Sequence, residues 1–166
     1  MFDSHLRMLA RIAAVTLLLV LGGCGWQLRG RVRLPEAMSV TYVDSKDRYS
    51  DFTQALQDHL RASGARLADR PTDATASIRV VRDESGQRVL SISARNTPQE
   101  YEVYYVVEYS VSSAGTELLP LQRLELTRDY TYDEAAVLAK QREEAALRQA
   151  LARDLAAQVV RRVASL

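Results

Sequence analysis

The chain has 166 residues, 47% of them hydrophobic and 26% charged, with a formal net charge of +1. This is the make-up of one folded domain, which excludes a disordered tail or a coiled rod, and so even a balance of charge leaves no basic field to hold a nucleic acid by counterion release. One Cys and two His are too few for a zinc or iron-sulfur site and exclude an intrachain disulfide framework.

Residues 12–21 read Ile-Ala-Ala-Val-Thr-Leu-Leu-Leu-Val-Leu without a charge, behind Arg7 and Arg11 and ahead of Gly22-Gly23-Cys24. The run is short of the ~20 residues that span a bilayer, but it has the length of a secretory h-region, and the arginines form its positive n-region. Leu21-Gly22-Gly23-Cys24 fits the bacterial lipobox, in which small residues admit the backbone to a peptidase and the Cys sulfur takes up a diacylglyceryl group. The sole Cys of the chain stands at the one position this chemistry requires. Residues 1–23 are therefore expected to be a cleaved lipoprotein signal peptide, with Cys24 the acylated first mature residue; several acyl chains at one site hold a protein stably on a membrane. Gly25, rather than Asp, after the Cys resembles the sorting pattern that implies passage to the outer membrane. Removal of Asp3, Arg7 and Arg11 with the signal leaves the mature chain neutral.

Residues 24–37, with Gly25, Gly30, Arg29, Arg31, Arg33 and Pro35, read as a lipidated tether, and residues 38–166 as a single domain. Met38–Val43 alternates and is β-branched, which predicts a first strand. Ser50 or Asp51 then caps a helix with the stripe Phe52, Leu56 and Leu60, closed by Gly64. From Ala76 the period becomes two. Ile78 and Val80 predict a strand, Asp83-Glu84-Ser85-Gly86 a turn, and Leu90, Ile92 and Ala94 the inward face of a return strand. Asn96-Thr97-Pro98-Gln99 breaks the pattern. A long strand follows with Tyr101, Val103, Tyr105, Val107, Tyr109 and Val111 on one face. Ser113-Ala114-Gly115-Thr116 turns the chain into Leu118–Tyr132, whose Leu124, Leu126, Tyr130 and Tyr132 share a face. Thr131-Tyr132-Asp133-Glu134 fits a capping box, with Thr131 or Asp133 as the cap, before one long helix to about Val163. Its stripe is Leu147, Leu151, Leu155, Val159 and Val163. These elements predict an α+β fold: a two-layer α/β sandwich, a mainly antiparallel sheet with two helices packed on one face.

No Gly-x-Ser-x-Gly elbow, phosphate loop, Gly-x-Gly-x-x-Gly or His/Cys/acid cluster occurs, and His59 has no companion nucleophile or acid in a triad pattern. Glu143-Glu144 and the pair Asp129 and Asp133 read as solvated helix face and cap. The chain is expected to be a binding or scaffolding component rather than an enzyme, with no cofactor besides the covalent lipid on Cys24.

The start Cys24-Gly25-Trp26-Gln27-Leu28-Arg29-Gly30, the following Leu34-Pro35, the strand opening Gln99-Glu100-Tyr101-Glu102-Val103 and Val137-Leu138-Ala139-Lys140 in the last helix together resemble the LPS-assembly lipoprotein family (LptE, also called RlpB), over the whole mature chain. The resemblance implies a plug inside the large outer-membrane β-barrel LptD that helps assemble that barrel and assists delivery of lipopolysaccharide to the outer leaflet. It also implies that a basic residue before the strand break and the Lys of the Ala-Lys segment contact lipopolysaccharide; Arg95 and Lys140 match these positions, against the plainer reading of solvated surface charge. Some members carry a polar C-terminal extension, which this sequence, ending at Leu166, is expected to lack.

A polar barrel lumen calls for a well-charged, near-neutral guest that offers Tyr and Arg as contact residues, and this composition meets that description. Tyr101, Tyr105 and Tyr109 read as cross-strand partners within the sheet. Tyr104, on the opposite face, reads equally as a sheet-stabilising residue or a partner contact. The alternative from another class is a lipoprotein adaptor or activator of a periplasmic cell-wall enzyme. A tether that reaches only ~50 Å when fully extended favours work at the membrane over that alternative. A lipid-anchored hydrolase ranks third.

Overall fold

The computed structural model describes residues 33–133 and 136–166; Cys24, the signal segment and most of the tether lie outside them. The elements in chain order are β1 (Val40–Ser45), α1 (Asp51–Ala62), β2 (Arg66–Leu67), β3 (Ala76–Ile92), β4 (Pro98–Ser113), β5 (Thr116–Thr131) and α2 (Val137–Val163), with short 3-10 turns at Glu36–Met38 and Pro71–Asp73. The strands form one sheet in the order β2-β1-β3-β4-β5. The β1 pairings with β2 and β3 are parallel and short, while the β3–β4 and β4–β5 ladders are antiparallel and long. The expected α+β sandwich is therefore the observed one, with a parallel corner added to the antiparallel meander.

Local rules account for much of this. Ser50 caps α1 as expected: its Oγ accepts the N–H of Thr53 at 3.0 Å, and Phe52, Leu56 and Leu60 are fully buried one turn apart. Gly64 follows at φ +94°, a conformation that suits a residue without Cβ. Ala114 and Gly115, both at positive φ, make the tight hairpin that brings Ser113 opposite Thr116. On β4, Val103, Tyr105, Val107, Tyr109 and Val111 all face the core. Leu151, Leu155, Val159 and Val163 of α2 are at most 1% exposed in the same cluster, where α2 packs on α1.

Three expectations fail, each for a physical reason. Met38 belongs to the 3-10 turn rather than to β1; it is fully buried, and Leu34 packs against the core beside it. Asp83–Gly86 is no turn. β3 is one unbroken strand of 17 residues, and Asp83, Glu84, Ser85 and Gly86 pair with Val107, Val106, Tyr105 and Tyr104. The hairpin turn falls at 93–97 instead, where Ser93 N–H donates to Thr97 O at 2.7 Å and Asn96 adopts φ 61°. Leu90 and Ile92 are accordingly 47% and 58% exposed and Ala94 lies in the loop, so they are not an inward face. Finally, Thr131 does not cap α2, and Glu134 of the expected capping box lies outside the described residues. Thr131 ends β5, and Ala136 holds the cap position without a side-chain hydrogen bond.

The polar residues of β3 are explained by a bulge. Val80 lies opposite Tyr109 and Arg82 opposite Glu108, which leaves Val81 as an extra residue, 57% exposed. Even-numbered side chains of β3 face the helices before it, and odd-numbered ones after it until the next register shift, between Val89 and Ser91. Asp83 thereby meets the start of α1. It accepts from Ser50 Oγ at 2.5 Å and from Tyr105 Oη at 2.8 Å, while Tyr105 Oη accepts the N–H of Phe52 at 3.3 Å. One carboxylate thus joins two strands to the helix cap. Arg148 Nε, 3.2 Å from Asp51 Oδ2, ties α2 to the same end of α1.

Burial, reinforced by the bond to Asp83, pushes the Tyr105 hydroxyl well above the ordinary tyrosine range. The folded state holds this proton more tightly than the unfolded chain. Its contribution is therefore full below pH ~10, the unfolded tyrosine pKa, and is lost as pH rises toward the folded one. Tyr105→Phe removes a donor from Asp83 and an acceptor from Phe52, and should cost about 1–3 kcal/mol. Urea unfolding at neutral pH and above pH ~10 should give a lower midpoint for the variant and a shallower alkaline decline than for the parent. An unchanged midpoint would show that the junction is not structural.

Candidate functional site

The strand end of the sheet that leads into α2 gathers aromatic and cationic groups. Tyr101 and Tyr130, in register on β4 and β5, stack with centroids 5.7 Å apart, and Tyr132 meets Tyr101 edge-on at 5.4 Å. Tyr130 Oη donates to Gln87 Oε1 at 2.8 Å, and burial raises its pKa. Lys140, in the first turn of α2, places Nζ 6.0 Å from the Tyr130 ring centroid and 2.8 Å from Glu143 Oε2. These groups border a recess of about 210 Å³.

Arg95 lies at the same end of the sheet, in the loop between β3 and β4. Its backbone N–H donates to Ser93 Oγ at 3.2 Å and its side chain is exposed. Among the described residues Arg95 has no ion pair, whereas Lys140 is one-fifth exposed and paired. Connectivity brings both to one rim, as expected, but each has its own surroundings. Cys24 falls outside the described residues.

The sheet face opposite the helices carries a ladder of alternating charge. Arg82 reaches Glu84 at 2.6 Å and Glu108 at 3.8 Å, while Arg123 reaches Glu108 at 3.6 Å and Glu125 at 2.7 Å. Arg88 pairs with Glu102 and sets its guanidinium 5.9 Å from the Tyr104 ring centroid. Val106, in register with Glu84 and Glu125, is 3% exposed within this layer. Tyr104 lies across Gly86: a Cβ at Gly86 would stand 2.5 Å from the Tyr104 hydroxyl. The ring covers the backbone of the residue opposite, a sheet-stabilising contact. That pairing was invisible in the sequence, where Asp83–Gly86 had the composition of a turn.

Among the described residues no Ser, Thr or Cys side chain is paired with a His, and no three His, Cys, Asp or Glu side chains converge as a metal site. No described helix is long and apolar enough to cross a membrane. The chemistry on offer is recognition through guanidinium, ammonium, aromatic rings and an alternating charge surface.

Comparison with known proteins agrees with this architecture. The proteins named LPS-assembly lipoprotein LptE from Pectobacterium atrosepticum and Yersinia enterocolitica are each 29% identical over 146 residues, which is 87% of this chain and 79% and 70% of theirs. The crystal structure of rare lipoprotein B from Shewanella oneidensis superposes with a TM-score of 0.66 at 28% identity, over 76% of this chain and 94% of that one. The solution structure of lipoprotein B from Nitrosomonas europaea gives a TM-score of 0.71 at 26% identity, over 85% and 91%. The family model described as LptE, lipopolysaccharide-assembly, matches residues 38–163, from the first buried methionine to the last buried residue of α2, and the chain belongs to that family.

Proposed function

We propose that this chain is a non-enzymatic lipoprotein of lipopolysaccharide assembly, anchored through acylated Cys24 to the periplasmic side of the outer membrane. In this reading it plugs and helps assemble the LptD β-barrel and assists delivery of lipopolysaccharide to the outer leaflet. The observation that carries the reading is the family match across the whole sandwich. The lipobox supports the anchor. The alternating Arg/Glu face supports the plug, because a polar lumen accepts a surface whose charges are neutralised within itself. Residues 1–23 act as the cleaved signal and 24–37 as the tether.

Lipopolysaccharide is met at the rim of Arg95 and Lys140. Its phosphates suit a guanidinium, which binds two oxygens at once, and Arg95 is the freer cation; Lys140 must exchange Glu143 for the ligand. Solvent and salt weaken the contact at so exposed a residue as Arg95.

Two outcomes follow. Cys24→Ala should abolish lipid labelling and release the protein from membranes, and intact-mass analysis of the parent should give an acylated Cys24 as the first residue; any other mature N-terminus contradicts the anchor. Purified Arg95→Asp/Lys140→Asp should bind lipopolysaccharide about tenfold more weakly at low salt, with a smaller deficit at high salt and an unchanged melting temperature. A folded double variant of full affinity removes both residues from the site.

A further inference from the structure

β5 is an edge strand: it pairs with β4 along one side, and among the described residues no main-chain group bonds to its other side. Pro120, which lacks an N–H, limits pairing at the start of that edge, and Gln122 Nε2 occupies the carbonyls of Pro120 and Leu121 at 3.1 and 3.2 Å. From Gln122 onward the edge is open.

Beside it runs a groove. Gln122, Leu124 and Leu126, alternate residues of β5, form one wall, and Leu151, Gln158 and Arg161 along the flank of α2 form the other. It holds about 450 Å³ beside Leu124 and about 320 Å³ beside Leu126, and Gln158 and Arg161 border both volumes. Arg128 and Asp154, 3.1 Å apart, bridge strand to helix at one end. At the other end Arg161 and Arg162 are exposed, and among the described residues neither has an acidic partner within 4.0 Å.

We propose that this groove is a docking site for an extended acidic peptide segment of a protein partner, which adds to the sheet as a sixth strand beside β5. Three observations converge on that occupant. An open strand edge supplies main-chain donors and acceptors in the one pattern another strand satisfies. The two volumes beside alternate strand residues Leu124 and Leu126 match the spacing at which a strand projects side chains to one face. The unpaired guanidinium groups of Arg161 and Arg162 call for carboxylates at one end of that strand. The segment therefore carries apolar residues two apart followed by Asp or Glu. This proposal stands apart from the lipopolysaccharide reading, which concerns the opposite end of the helix.

The test uses the full lipidated chain in a non-ionic detergent and a library of capped peptides of about eight residues, alternating Thr with Val or Leu and ending in two Glu. Hydrogen exchange at amides 121–128 should slow about tenfold with at least one member. N-methylation of alternate peptide amides should abolish the effect. Arg161→Glu/Arg162→Glu should weaken binding about tenfold at an unchanged melting temperature; if that variant is destabilised, Arg161→Gln/Arg162→Gln carries the same comparison. The proposal is overturned if no member slows exchange in β5, if the N-methylated peptide works equally well, or if protection falls on β3. Protection of these amides by phosphatidylglycerol micelles but not by peptide would assign the groove to an anionic lipid and equally overturn it.

Discussion

The fold turns on one carboxylate. Asp83 sits in the longest strand at the point where the Val81 bulge has just exchanged the two faces of β3, and it accepts hydrogen bonds from the capping serine of α1 and from the hydroxyl of Tyr105. A buried or half-buried carboxylate is costly unless donors surround it, and here the donors come from the elements that have to be aligned. Ser50 serves twice: its oxygen caps the helix and its proton binds the strand. The bulge is what allows a single strand to give Ile78 and Val80 to the core and then present Asp83 to the same layer. Without the extra residue, Asp83 would face the outer surface and Arg82 would face the helices.

The two sheet faces consequently differ in kind. The helix-covered face is closed by apolar packing, with Phe52, Leu56, Leu60, Leu151 and Leu155 in one core with the inward residues of β4. The other face is closed by charge alternation. Each exposed ion pair contributes little to stability, at most about 1 kcal/mol, so the value of the ladder is that it neutralises a broad surface residue by residue. Such a surface neither repels nor strongly attracts, which suits lasting contact with a polar protein wall. In the proposed function, specific recognition falls to the rims and the edge: the tyrosine recess with Lys140, the Arg95 loop, and the β5 groove.

Short-range chemistry was the legible part of the sequence. The Ser50 cap, the Gly64 stop, the Ala114-Gly115 turn, the inward stripe of β4 and the stripe of α2 all follow from rules that act over a few residues, and the family resemblance extended them to a function. The failures came where distant partners decide the outcome. Asp83-Glu84-Ser85-Gly86 has the composition of a turn, yet the helix cap and Tyr105 satisfy the Asp, and Tyr104 on the neighbouring strand covers the Gly. Thr131-Tyr132-Asp133-Glu134 matches a capping box, but pairing of Thr131 with Glu100 carries the strand through its first position. The rim shared by Arg95 and Lys140 could be inferred from connectivity, because β5 runs directly toward α2. The β5 groove could not, since it depends on which strand ends the sheet and on how α2 lies along it.

The central claim is that the sandwich works as the guest of one barrel, and gentle solubilisation of outer membranes followed by affinity purification of the lipidated chain tests it most directly. The account predicts a stable complex of fixed stoichiometry with a single large β-barrel protein that resists high salt, as expected for an interface well above the ~1,000 Å² of a specific contact. Recovery of the chain alone, or with a cell-wall enzyme in place of a barrel, would contradict it.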